Sequence, residues 1–318
     1  MKRQSLAFGR GSLAGLTLIL GLTFAGLAML APLAQAAPSV AFRSWATVPR
    51  TAAMGGNLVC LLTDESATDS NPARLVYGTR TASVHYDRVD PDIELWSGRL
   101  GAAFPLGPDA AEPLQLTRPR RSAAGVAIDV TGLTLIEGSG YNETSLTAGY
   151  GYTIVSFLAV GIAARYNHVF TNSTEIGANG YGVDIGLSAD LSDHVDAALS
   201  IRDAFGRVTF DGGDDEDLPA QLTVGVAMAR RRWYEAELNY VFQENHTAAW
   251  SLGGEVHVMP GTLDLRAGVA RETLGTDRTL PSVGLGVSWN MLRMDYAFVS
   301  DSDAGRDATH RLGLLARF

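Results

Sequence analysis

The last eleven residues, 308–318, constrain the fold more than any other stretch. Taken alternately, Leu312, Leu314, Ala316 and Phe318 fall on one face, and Arg311, Gly313 and Arg317 on the other; Leu315 alone breaks the pattern. A strand of about 9 to 11 residues tilted by about 45° crosses a bilayer. Period two with the apolar side outward is the pattern of a barrel strand in lipid. The edge of such a strand has to pair, because unpaired N–H and C=O groups are not tolerated in hydrocarbon. The expected partner is the first strand, which closes the sheet on itself.

At the amino terminus Lys2, Arg3 and Arg10 precede an apolar run over about 13–31, followed by the small residues Ala34 and Ala36 around Gln35. That pattern is expected to be a secretory signal peptide over 1–36. Without its three basic residues the formal net charge falls from −9 to −12. An acidic chain of this kind argues against nucleic acid as a partner, since binding phosphates needs a clustered basic surface. One cysteine, Cys60, excludes an intrachain disulfide and any cysteine-built metal site. Mean hydropathy is close to neutral, and beyond the leader no apolar run is long enough for a spanning helix. A barrel remains compatible, because its inward polar residues dilute the outward apolar ones.

Residues 37–75 do not alternate and are expected to form a plug in or under the barrel mouth. They hold Met54, Gly55 and Gly56, an apolar patch over 58–62, and a polar run over 63–70 suited to one short helix that Asn71 and Pro72 end. Residues 76–318 are expected to form the barrel, with turn signals dividing them into about fourteen strands. The clearest segment sets Tyr181, Val183, Ile185 and Leu187 against Gly180, Gly182, Asp184 and Gly186. The 35 glycines often occupy alternate positions, as close backbone approach or a packed lumen requires. Connections alternate between long and short, the asymmetry of an outer-membrane barrel. The Pro-rich excursion over 105–123 breaks that rule.

The terminal strand resembles that of bacterial outer-membrane barrels. The stretch 50–56 (RTAAMGG), the element from Asp64 to Asn71, Pro72 and Ala73, the strand pair 180–201 leading into Arg202 and Asp203, and Leu218 and Pro219 followed by 222–226 (LTVGV) together resemble the PorV/PorQ family, relatives of the long-chain fatty acid transporter (FadL-like) barrels. Arg74 stands where that family usually has Gly, and Asn57 where it has a small apolar residue. The resemblance implies an all-β fold, a transmembrane antiparallel β-barrel of about fourteen strands with an amino-terminal plug, in the bacterial outer membrane. It also implies either transport of hydrophobic small molecules, sometimes through a lateral opening, or a non-conducting scaffold that holds secreted proteins at the cell surface. Outer-membrane lipid and lipopolysaccharide are the expected surroundings.

Candidate lumen-facing residues are Asp184, Arg202, Glu235, Glu237, Glu255, Asp264, Arg266 and Asp295. Inside a barrel they either set selectivity by charge or pair with one another and the plug, because buried charges need partners. Asp211, Asp214, Asp215, Glu216 and Asp217 crowd one loop with hard oxygen ligands that suit Ca²⁺, although the spacing is not that of an EF-hand. The six histidines are scattered, and no nucleophile elbow, phosphate loop or HExxH helix is present. The chain is therefore not expected to be an enzyme, and no cofactor is expected.

Overall fold

In a computed structural model of the protein, the described residues are 48–90, 95–107, 119–134, 140–171, 177–211, 213, 215–230, 233–243, 246–273, 277–300 and 308–318. The leader expected over 1–36 lies outside them, as do residues 37–47 of the expected plug.

The strands are β1 (Thr81–Asp90), β2 (Leu95–Leu106), β3 (Ser122–Thr134), β4 (Gly140–Val155), β5 (Leu158–Thr171), β6 (Gly177–Ser192), β7 (Val195–Phe210), β8 (Asp215–Asp217), β9 (Gln221–Arg230), β10 (Tyr234–Gln243), β11 (His246–Met259), β12 (Leu263–Glu272), β13 (Arg278–Trp289), β14 (Leu292–Val299) and β15 (Thr309–Arg317). All pairings are antiparallel, and the short β8 pairs only with β7. The other fourteen close into a barrel. The closing seam is β1 with β15, from Thr81 opposite Arg317 to Arg88 opposite His310. Leu315 keeps the alternation after all: it faces inward and is buried, between Gly313 and Arg317 on the same face.

Register carries the outward face around the wall. Leu314, Val84, Leu100, Ile128, Leu146, Tyr166 and Tyr181 are successive cross-strand partners, and each is 41–58% exposed. A band of that length exceeds the few hundred Å² of apolar patch that a soluble monomer shows to water. The outer face therefore belongs in hydrocarbon, and the polar residues between these positions turn inward. Among the described residues no helix is long and apolar enough to cross a membrane.

Inside lies the segment before β1. Its elements are α1 (Pro49–Ala53), α2 (Ala67–Ser70) and a 3-10 helix (Pro72–Tyr77). The sequence suggested a single helix over 63–70; α2 occupies only its last turn, and the inner segment continues past residue 75 to Tyr77. Met54, Leu58, Cys60, Leu62 and Ala67 are fully buried and form the main apolar cluster with inward-facing alanines of the wall. The excursion between β2 and β3 is shorter than expected, since Pro105 lies within β2. Residues 108–118 lie outside the described residues. Arg120 returns to the inner segment, its N–H donating to the Val76 carbonyl at 2.8 Å.

Inward-facing glycines set how closely this segment approaches the wall. A Cβ on Gly268 would collide with the backbone of Met54 and Gly55, and one on Gly161 with the backbone of Pro72 and Ala73. Backbone cannot swing aside as a side-chain tip can. Gly268→Val is therefore expected to dislodge 54–56 while the barrel still folds. Trypsin would then cut after Arg50 in a protein that keeps its heat-modifiable gel mobility. Protection of Arg50 equal to wild type would refute the close fit.

Candidate functional site

The inward charges gather on the inner segment. At the end of the tight turns, 260–262 and 290–291, Glu255 receives three guanidiniums. Arg50 Nε donates to it at 3.1 Å, Arg266 Nε at 2.5 Å and Arg293 Nη2 at 3.5 Å. Arg50 also reaches Glu235 at 2.7 Å, Arg266 reaches Asp295 at 2.8 Å, and Arg293 reaches Asp264 at 3.0 Å. Alternation on β10 to β14 delivers these side chains to one spot, because Glu235 opposes Glu255 and Glu255 opposes Arg266 in the ladders.

Glu237 does different work. Its two oxygens accept the N–H groups of Val59, Cys60 and Leu61 at 2.6, 2.9 and 2.9 Å. A turn of backbone that no strand satisfies is thereby bonded to the wall. Burial and the Glu237 carboxylate together push the Cys60 thiol well above its ordinary pKa, so Cys60 acts as a small buried hydrophobe.

On the other side of the bore Arg99 bridges Asp69 of α2, at 2.6 Å, and Asp129, at 3.1 Å. Burial alone would raise the Asp69 carboxyl, but Arg99 overrides it and holds Asp69 below the usual carboxylate range. Arg165 is held by Asp184 and by Asp203, the latter at 3.2 Å. Arg202 is half-buried, 3.9 Å from Asp203.

Both departures from the family pattern have structural partners. Arg74 is buried, donates to Ser188 Oγ at 3.0 Å and Asp196 at 3.4 Å, and lies 4.2 Å over the Tyr77 ring. Asn57 adopts a left-handed φ of 52°, which Asn tolerates better than an apolar residue. The other candidate plug residues are also tied in. Gly55, at φ 83°, donates its N–H to Ser282 Oγ at 3.2 Å, and the Gly56 carbonyl accepts from Ser251 Oγ at 3.2 Å. Asn71 Nδ2 donates to the carbonyls of Val59 and Leu187, and Pro72 opens the 3-10 helix.

The acidic loop does not converge on one point. Asp211 accepts the Gly177 N–H at 3.1 Å, Asp215 and Asp217 pair with the exposed Arg207, and Glu216 is exposed. Asp214 lies outside the described residues. Among the described residues, Glu255, His257 and Asp264 are the trio close enough to share a cation. The arginines already occupy that space, and three guanidiniums oppose a further positive charge.

Sequence reasoning missed the wall of β7. Opposite Asp184, between the pairs Val183 with Phe205 and Ile185 with Ile201, β7 carries the extra residues of a bulge. Asp203 sits there at φ 51°, its N–H donating to Asp184 at 2.8 Å. The β7–β9 ladder stops at Arg202 opposite Gln221, and β8 pairs only from Arg207 onward. Residues 203–206 therefore face the non-strand residues 218–220 across a break in the wall. On its inner side, toward the long-loop end, Val169, Ala178 and Val208 pack with Tyr141, Phe210 and Leu218. Pro219, which has no N–H to donate, was the available signal.

No protein-family model matches the chain, and no curated protein matches it in sequence. Solved structures match over most of their length. The CymD monoaromatic hydrocarbon channel superposes with a TM-score of 0.63 at 12% identity, covering 87% of this chain and 99% of its own. The P. putida toluene transporter TodX gives 0.63 at 14%, covering 86% and 98%. A Pseudomonas aeruginosa FadL homologue gives 0.59 at 13%, covering 86% and 98%. The barrel is FadL-like. In this FadL-like barrel the inner segment and its charged contacts fill the bore from the tight turns to mid-strand residues such as Arg99, Ser251 and Ser282, and the separate apolar cluster around Val169 and Val208 lies toward the long loops.

Proposed function

We propose that the chain is a bacterial outer-membrane channel for small hydrophobic molecules, which enter at the long-loop end and leave sideways through the break between β7 and β9. The observation that carries this reading is the position of the break. It adjoins an inner apolar cluster toward the long loops, whose Tyr141, Phe210 and Leu218 are only partly buried. The axial route, by contrast, meets a segment tied to the wall by the ion pairs of Arg50 with Glu235, Arg74 with Asp196 and Asp69 with Arg99. An apolar solute gains little in a charged bore and much in lipid. The apolar outer band suits outer-membrane lipid, with lipopolysaccharide in the outer leaflet.

Purified protein in liposomes is expected to speed toluene uptake several-fold over empty liposomes and to give no swelling with sucrose. Sucrose flux with toluene uptake no faster than in empty liposomes would overturn the proposal in favour of an ordinary porin. The PorV/PorQ reading, a barrel that conducts nothing and holds secreted proteins at the surface, predicts neither flux.

A further inference from the structure

Leu218 belongs to two structures at once. Its side chain packs in the inner apolar cluster with Val208 and Phe210, and its N–H donates to the Gly206 carbonyl at 2.9 Å across the wall break. A Cβ built on Gly206 would lie 2.9 Å from Leu218 Cβ and 3.2 Å from its Cδ1. The leucine therefore rests directly on the glycine, and any larger residue there would push it away. On the outer side Phe205 stands 69% exposed, without a ladder partner between β7 and β9. Pro219 follows immediately, so the ladder cannot extend from Leu218 toward β9 through its N–H.

We propose that Leu218 is the gate of the lateral exit: an uncharged apolar molecule in the inner cluster displaces this side chain from Gly206 and passes into the lipid beside Phe205. The inference rests on the transport reading above. Opening here breaks one backbone hydrogen bond and the packing of one leucine. Anywhere along β9 and β10, whose ladder runs unbroken from Tyr234 opposite Arg230 to Gln243 opposite Gln221, it would break several. The charges nearest the gate are paired and favour an uncharged passenger: Arg207, next to Gly206, is engaged by Asp215 and Asp217. Asp203 and Asp184 flank the bulge with Arg165 engaged between them, and the Tyr141 hydroxyl of the cluster donates to the Glu143 carboxylate at 3.0 Å. A passenger carboxylate would meet anions already in place.

The test is a reversible staple, Gly206→Cys with Leu218→Cys in a Cys60→Ala background. Disulfides need Cβ atoms about 3.5 to 4.5 Å apart, within a small shift of this contact. Toluene uptake into liposomes is expected to fall at least about tenfold on oxidation and to return on reduction, because separating the edges at the break would require cleaving a covalent bond. Recovery on reduction shows that the variant is folded. A Leu218→Ala variant is expected to take up toluene faster than wild type. Equal uptake by the oxidised and reduced staple, with wild type active, overturns the gate and leaves the transport reading standing. A wild type that takes up toluene no faster than empty liposomes overturns both.

Discussion

Replacing Glu237 with alanine is expected to detach residues 58–62 from the wall while the barrel stays closed. Three buried N–H groups, of Val59, Cys60 and Leu61, lose their acceptor in one step. Each buried donor left unsatisfied costs about 1–3 kcal/mol, and partial relaxation brings the whole to about 3–6 kcal/mol. Tenfold corresponds to about 1.4 kcal/mol, so hydrogen exchange at these amides should accelerate by about 10²- to 10⁴-fold. The ladder amides of β10 should change little, because local opening need not involve the sheet. Glu237→Gln separates bonding from charge. The Glu237 oxygen that now serves Val59 and Cys60 can be kept as the amide oxygen, but the amide nitrogen then faces the Leu61 N–H, donor against donor. An intermediate acceleration, largest at Leu61, is the expected pattern. Unchanged exchange in the alanine variant would show that other groups hold this segment.

The barrel was legible in the sequence because two-residue alternation is a direct consequence of strand geometry. The terminal strand, the outward series through Leu314 and Val84, and the inward acids on β10 to β14 all follow from counting by two. Their partners were less legible. Arg50 and Arg74 lie in a segment without periodicity, and nothing local says that they reach Glu255 and Asp196, which are 205 and 122 residues away. The acidic loop invited a metal-site reading because its oxygens are dense in sequence. In space they serve the Gly177 N–H and Arg207 instead. The bulge at Asp203 was hidden for a different reason. Its left-handed φ falls on a residue other than glycine, and the bonds that hold it, to Asp184 and Arg165, come from neighbouring strands. Pro219 was the one visible sign of an interrupted ladder there.

Glu255→Leu is expected to weaken docking of the inner segment by about 3–5 kcal/mol, the cost of breaking a buried ion pair on one side. The carboxylate faces Arg50, Arg266 and Arg293 at once. Each arginine keeps a second partner, Glu235, Asp295 and Asp264 respectively, which keeps the loss from being larger. Of the three, only Arg50 belongs to the inner segment, so it should carry most of the coupling to docking. The double variant Arg50→Leu with Glu255→Leu should then lose less than the two singles added together, by about 1–3 kcal/mol. Exposed ion pairs fade in salt, whereas buried ones are screened much less. Glu255 is 1% exposed and Arg266 is fully enclosed, so raising the salt tenfold should change this coupling little. Trypsin cleavage after Arg74, followed against denaturant in detergent, would measure docking in all the variants, since each retains that arginine. A coupling near zero, or one that disappears in high salt, would mean that Arg50 is held by packing around α1 and that the Glu255 network braces the wall alone.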